Sequence, residues 1–402
     1  MIKKFDVLMI LFLFILAGCT AKEETVDITS YEVNTSAVLS SVIETNSSKE
    51  VNLDEYYNEL QNIADSDSVL GMQVAVFKDG EIINTYSYGY TDLSKDIPVD
   101  DDTVFRIAST SKTISNIAVM KLVEEGKINL TDSVYEATGL DFDEDVKLWN
   151  ILTHTSGYGD SELYESDFEH YIDINTLIDS ANRGSAPGSV FEYSNFVAGT
   201  MAAIVERISG EYFSDYTEEN MFEPLNMNAS YLYENLNEGT VVAKMHYDGS
   251  ATEYDPSTWD YDAELYSSFG LGNQYRLAHG NLMTSAKDLA KIGIVLAGDG
   301  TYNGTRILNQ STLDLIRYYR VNTGDVYGMG LNTDIFNGTM VSGRKLYGHT
   351  GYAYGAVTAL LYDPSDNSGV VILTNHATSE KEKGVRVVIR DVSSCVYKYF
   401  FS

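Results

Sequence analysis

Apolar positions along this chain change their spacing several times, and each change predicts a different kind of element. Leu53, Tyr57, Leu60 and Ile63 recur at helical intervals behind Asn52 and Glu55, a pair with capping-box spacing, so a folded domain is predicted to begin near residue 51 with a helix. Two apolar runs follow, Met72 to Phe77 and Ile82 to Tyr88, and Asp79-Gly80 between them predicts a tight hairpin of two strands. Helical spacing returns at Ile114, Ile117, Ala118 and Leu122, with Gly126 placed to end the helix, and again from Ala286 to Leu296. Near the C-terminus, Ala356 to Tyr362 and Val370 to Thr374 flank the turn-rich Asp363-Pro364-Ser365-Asp366-Asn367-Ser368-Gly369, which predicts two more strands, and Val385 to Phe400 reads as a closing helix. The pattern therefore predicts an α+β fold. A largely antiparallel sheet is built from both ends of the chain and flanked by helices, a mainly helical lobe over residues 107–320 is inserted, and a cleft lies between them.

The region before residue 51 has a different character. Lys3 and Lys4 precede an apolar run from Val7 to Ala17, too short for the ~20 residues of a spanning helix. Leu16-Ala17-Gly18-Cys19 follows directly and is similar to a bacterial lipobox. This implies a signal peptide over residues 1–18, lipidation of Cys19, and a protein anchored on the extracytoplasmic face of a membrane. Residues 19–50 are rich in Ser, Thr, Glu and Asn and predict a flexible tether, with a span of ~30 Å for a random coil of that length.

Composition adds limits. With 402 residues, 44% of them hydrophobic, the chain has material for a large core. Its formal charge of −32 repels nucleic acid, so no nucleic-acid partner is expected. Once Cys19 is lipidated only Cys395 remains, which excludes an intrachain disulfide and leaves Cys395 as a small core residue among Val392, Val396 and Tyr399. The acid runs Asp100-Asp101-Asp102 and Asp141-Phe142-Asp143-Glu144-Asp145 lack the glycine of a calcium loop and read as solvated loops. His154, His170, His246, His279 and His376 show no metal spacing. Neither a metal nor an organic cofactor is implied.

Three short motifs carry candidate chemistry: Ser109-Thr110-Ser111-Lys112, Tyr193-Ser194-Asn195 and His349-Thr350-Gly351. A serine hydroxyl is a poor nucleophile until a base lies within hydrogen-bond reach, and Lys112, three residues along a helix from Ser109, shares its face. Ser109 is expected in the first turn, where helix N–H groups stabilise negative charge developing on an attacked carbonyl.

These motifs, together with Gly71-Met72-Gln73-Val74-Ala75-Val76, Thr103-Val104-Phe105-Arg106-Ile107-Ala108-Ser109, Leu152-Thr153-His154-Thr155-Ser156-Gly157 and Glu223-Pro224-Leu225-Asn226-Met227, make the chain similar to the serine beta-lactamase and penicillin-binding protein superfamily. The resemblance lies with its class C beta-lactamase, DD-peptidase and esterase branch and covers roughly residues 51–402. It implies that Ser109 is the nucleophile and that Lys112 and Tyr193 share the proton that leaves it. It further implies that Asn195 holds a substrate amide, that the backbone N–H groups of Ser109 and Tyr352 form the oxyanion hole, and that His349, Thr350 and Gly351 contact substrate. His154 matches a family block and is taken as a buried structural histidine.

Two departures bear on substrate. His349 stands where most beta-lactamases place lysine, and an imidazole is mostly neutral at pH 7, so a fixed cation is missing from that position. The second motif is Tyr-Ser-Asn and not Ser-Asp-Asn, so class A chemistry with its deacylating glutamate is not expected. Glu223-Pro224-Leu225-Asn226 is read as a structural turn with Asn226 left-handed. The stretch from Tyr247 to Tyr275, with Tyr254, Trp259, Tyr261, Tyr266 and Phe269, is a candidate aromatic wall or lid, set against ordinary packing. The expected function is a serine hydrolase acting on D-amino-acid peptides or related cell-wall amides. The alternatives are a carboxylesterase or beta-lactamase of the same fold, or a catalytically silent wall-binding lipoprotein.

Overall fold

In the computed structural model, residues 51–166, 171–247, 249–258, 268–318, 331–378 and 380–402 are described. The proposed signal peptide and tether, His170, Trp259, Tyr261 and Tyr266 lie outside them.

The apolar runs form a six-stranded antiparallel sheet. Strands β1 (Gly71–Lys78) and β2 (Glu81–Gly89) form the hairpin, and Asp79 and Gly80 supply the positive φ angles (+50° and +89°) that such a turn requires. The C-terminal strands are β3 (Asp334–Asn337), β4 (Lys345–Ala353), β5 (Ala356–Asp363) and β6 (Ser368–Thr374), and the spatial order is β2-β1-β6-β5-β4-β3. The two ends of the chain thus meet at the β1–β6 pair, where Met72 lies opposite Thr374 and Lys78 opposite Ser368.

Both faces of the central strands are covered, which is why β1, β5 and β6 read as continuous apolar runs. Met72, Val74, Val76, Val357, Ala359, Leu361, Val370 and Ile372 point to one face. There they meet helix α1 (Leu53–Ser66) and the C-terminal helix α5 (Val387–Phe400) through Tyr56, Leu60, Ile389, Val392 and Val396. Asn52 caps α1 by accepting the Glu55 N–H at 3.3 Å, and Tyr56 packs edge-on against Phe400 at 5.0 Å. Cys395 is buried in this layer.

Ala75, Phe77, Leu360, Tyr362, Val371 and Leu373 point to the other face and continue into the core of the helical lobe. That lobe contains α2 (Ser111–Glu124) packed on α3 (Asn195–Ser209), with shorter helices around them. The helix expected near Ala286, α4 (Ala286–Ala297), packs on β1, β5 and β6, so it belongs to the sheet's layers although the residue range 107–320 places it with the lobe. Phe77 explains the fit: a Cβ on Gly293 of α4 would come within 2.5 Å of its ring, and one on Gly369 of β6 within 2.1 Å.

Some features have no periodic signature in the sequence. A small sheet joins Phe105–Arg106, Met283–Thr284 and Ala229–Ser230, pairs too short to produce an alternation. The Asp141–Asp145 run is held by Arg183, which lies 2.7 Å from Asp145 and also binds Asp143. Asn226 takes a φ of +49° in the turn after Phe222.

Candidate active site

Ser109 sits in a single 3-10 turn, Ala108–Thr110, which leads into α2. Its neighbour Ala108 has a φ of +48°, a left-handed conformation that a residue with a Cβ adopts only when the surroundings impose it. Strand β5 supplies that constraint. The Thr358 hydroxyl donates to the Ile107 carbonyl at 2.6 Å and lies 3.0 Å from Thr110 Oγ1, tying the turn to the sheet on both sides of Ser109. Strand β4 presses in as well, since a Cβ on Gly351 would stand 2.3 Å from Thr358 Oγ1 and 2.7 Å from the Ile107 carbonyl. Only glycine permits this approach, and it brings Tyr352, the next residue of β4, beside the Ser109 turn.

Lys112, the second residue of α2, is fully buried. Its Nζ lies 3.2 Å from Ser109 Oγ, 3.0 Å from Asn195 Oδ1 and 2.6 Å from the His279 carbonyl. Burial lowers its pKa to about 7, Arg106 pushes the same way, and Asp160 opposes both. A charged Lys112 donates to all three oxygens. A neutral Lys112 keeps two donors for Asn195 and His279 and can turn its lone pair toward the Ser109 hydroxyl.

The Tyr193 hydroxyl donates to Ser109 Oγ at 3.0 Å. Although 42% of Tyr193 remains accessible, its hydroxyl lies deep against Ser109, and burial pushes its pKa up, so it stays protonated near neutrality. Of the two groups flanking Ser109, Lys112 is therefore the one able to accept a proton in the free protein.

Tyr193 and Asn195 are held by two residues that the motif does not contain. Asp160 accepts from Ser194 Oγ at 2.6 Å, from the Phe196 N–H at 2.8 Å and from the Asn195 N–H at 3.3 Å, which adds an acidic cap at the positive end of α3. His154 stacks on the Tyr193 ring at 4.5 Å and accepts the Ser194 N–H on Nδ1 at 3.4 Å. Burial, with Lys112 and His349 next in effect, holds the His154 pKa well below its usual value. The structure thus places His154 buried, as the sequence reading expects of it. Asp160 and Thr358 carry no local pattern in the sequence. Their placement depends on contacts between segments far apart in the chain.

His349 is buried with Nδ1 2.7 Å from the Thr350 carbonyl, and burial lowers its pKa against the opposing pull of Asp334. The third motif thus presents a neutral imidazole. Thr350 and Tyr352, two apart on β4, share a face directed away from Gly351. Tyr352 is 38% exposed, and Tyr354 beyond it packs on Tyr254 at 4.6 Å and on Tyr247 at 6.1 Å. This part of the candidate aromatic wall stands beside β4, whereas Phe269 turns away to stack on Tyr275 at 5.6 Å. Among the described residues no group of His, Cys, Asp and Glu side chains is arranged to hold a metal ion.

A family model described as Beta-lactamase matches residues 58–393. Protein flp of Staphylococcus aureus (strain MRSA252) is 23% identical over 316 residues, which cover 76% of this chain and 59% of that protein. The chain thus spans about three fifths of the curated relative's length. Among solved structures, the octameric penicillin-binding protein homologue from Pyrococcus abyssi aligns with a TM-score of 0.67 at 22% identity, covering 86% of this chain and 77% of that one. The D-amino acid amidase from Ochrobactrum anthropi SV3 aligns with a TM-score of 0.65 at 21% identity, covering 85% and 97%. At these identities the structural likenesses show the fold.

Proposed function

The chain belongs to the Beta-lactamase family, and on that premise we propose that it forms an acyl-enzyme on Ser109 and transfers the acyl group to water. The observation that carries this reading is the buried Lys112 ammonium, its pKa lowered to about 7, 3.2 Å from Ser109 Oγ. Lys112 accepts the Ser109 proton as Oγ attacks a carbonyl carbon, and the oxygen of that carbonyl takes up negative charge beside the backbone N–H groups of Ser109 and Tyr352. The Tyr193 hydroxyl, hydrogen-bonded to Ser109 Oγ, then passes a proton to the leaving group and is reprotonated from Lys112. Water repeats the sequence on the acyl-enzyme, delivering its proton to Lys112 and releasing Ser109 and the acid.

The substrate class we infer is a D-amino-acid peptide or a related cell-wall amide. Fold likeness to a D-amino acid amidase and to a penicillin-binding protein homologue supports this choice. Buried, neutral His349 favours a second reading, a carboxylesterase of the same fold. Lipidation at Cys19 and attachment to the extracytoplasmic face of a membrane complete the proposal.

Incubation with a penicillin, followed by intact-protein mass spectrometry, tests the acyl-enzyme. A persistent covalent adduct that vanishes in Ser109→Ala is the expected result for a DD-peptidase-like site. Absence of both adduct and penicillin consumption, with Ser109-dependent turnover of simple esters, would move the assignment to the esterase. Ester and amide turnover that survives Ser109→Ala would sink the acyl-enzyme reading altogether.

A further inference from the structure

Building on the acyl-transfer reading, we propose that Ser115, gripped by the Tyr231 hydroxyl, is a positioning residue for Lys112: it holds the loop whose carbonyl aims the lysine lone pair at Ser109. The task follows from the number of hydrogens on an amine. A neutral Lys112 has two N–H groups and one lone pair. Its Nζ has three oxygen neighbours, Ser109 Oγ at 3.2 Å, Asn195 Oδ1 at 3.0 Å and the His279 carbonyl at 2.6 Å. Only when Asn195 and His279 take both hydrogens does the lone pair fall to Ser109.

Asn195 is fixed at the start of α3, where Asp160 accepts its N–H. The His279 carbonyl comes from a turn and has no such helix behind it. Gly280 follows it, and the Gly280 N–H reaches the Leu277 carbonyl only at 3.3 Å, so the peptide that carries the His279 oxygen is weakly held on that side.

Helix α2 supplies the grip on the other side. Ser115 lies three residues after Lys112, and its Oγ donates to the Ala278 carbonyl at 2.7 Å. That carbonyl belongs to the planar peptide ending at the His279 nitrogen, so its direction fixes where His279 starts. Ser111 holds the far end of the same turn, accepting the Leu282 N–H on Oγ at 3.2 Å. The Tyr231 hydroxyl lies 2.9 Å from Ser115 Oγ. Ser115 has one proton and gives it to Ala278, so Tyr231 is the donor of that pair. Ser111, Ser115, Tyr231 and Ala278 are all buried, and the Tyr231 ring is set against Phe213 at 4.8 Å. Alanine and phenylalanine at positions 115 and 231 would avoid the cost of desolvating two hydroxyls. They could not hold the Ala278 carbonyl.

The test is a pH–rate profile on a simple ester for the full-length protein, Ser115→Ala and Tyr231→Phe, with the melting temperature of each measured alongside. Without the grip the His279 carbonyl turns away. The ammonium form then loses an acceptor, and the neutral form can offer Ser109 a hydrogen in place of its lone pair. In Ser115→Ala, kcat should fall by roughly threefold to tenfold with KM little changed, and the midpoint of the rise in kcat/KM should move to lower pH. Tyr231→Phe, which keeps the ring, should do the same in smaller measure, and the double variant should be no slower than Ser115→Ala because both act through one carbonyl. A pair that only stabilised the fold would lower the melting temperature and leave the midpoint in place. An unmoved or raised midpoint in Ser115→Ala would overturn the proposal and leave the acyl-transfer reading standing; should that variant fail to fold, the midpoint of Tyr231→Phe decides in the same way. Absence of Ser109-dependent turnover in the parent protein would strike the acyl-transfer reading first and this proposal with it.

Discussion

Lys112 is positively charged at its ordinary pKa and must be neutral to accept a proton, so the protein spends stability to disarm it. Burial lowers the pKa to about 7 from 10.5. Between those values the unfolded chain binds one proton more than the folded chain at this group, so stability should climb with pH across that window, and below it the cost of the buried charge is felt in full. Activity should follow the neutral form: kcat/KM should rise with pH through about 7 to a plateau. Asp160 favours the charged form, so Asp160→Asn, which keeps an oxygen for Ser194 and Phe196, should move that rise to lower pH. A pH–rate profile checks both statements, and an unmoved midpoint in Asp160→Asn would show that Asp160 acts only as a helix cap. Lys112→Met should lower kcat on the order of a hundredfold or more and melt no lower than the parent at pH 6. The grouping of Ser109, Lys112, Tyr193 and Asn195 was legible because Ser109 and Lys112 lie three residues apart, and Tyr193 and Asn195 flank one loop-to-helix junction. Asp160 and Thr358 were not, because each reaches the site through a tertiary contact that leaves no spacing in the chain.

At the scale of elements, hydrophobic period identified the type of α1, α2, α4, α5, β1, β2, β5 and β6 and only part of their partnership, and it did not single out the 15-residue α3 or the nine-residue β4. The expected β1–β2 hairpin and the strands β5 and β6 appear with ends extended by one or two residues, since apolar alternation marks the buried centre of a strand and hydrogen bonding continues past it. The closing helix begins at Val387 because Val385 and Arg386 pair with Glu382 and Lys381. An amphipathic stripe identified α4 as a helix and was silent about the layer it would join. That choice depends on small residues: Gly293 and Gly369 clear the space that Phe77 fills. Gly293→Val should therefore force α4 away from the sheet and destabilise the fold by about 1–3 kcal/mol. Chemical denaturation would show it as a lowered midpoint. A midpoint equal to the parent's would mean that the Phe77 ring has another place to go.

At the scale of the whole molecule, the proposed anchor is to be set against the charge. If the chain is cleaved before Cys19 and anchored there, loss of Lys3, Lys4 and Asp6 (+2 − 1) takes its formal charge from −32 to −33, and such a protein would stand off an anionic surface, so the lipid rather than the protein's own surface would keep it at the membrane. Cells fed a radiolabelled or alkynyl fatty acid should incorporate label into the protein, and Cys19→Ser should abolish it and shift the protein to the soluble fraction. Label retained in Cys19→Ser would remove the anchor from the proposal. The pairing of β1 with β6 has a further consequence, for the order of events during synthesis. Strand β1 cannot complete its sheet until Ser368–Thr374, made much later in synthesis, arrive beside it. Such long-range closure makes folding slow. Were the chain to thread a secretion channel unfolded, as the proposed signal peptide implies, slowness would be an advantage, because the polypeptide would reach the far side before it had the means to lock itself shut.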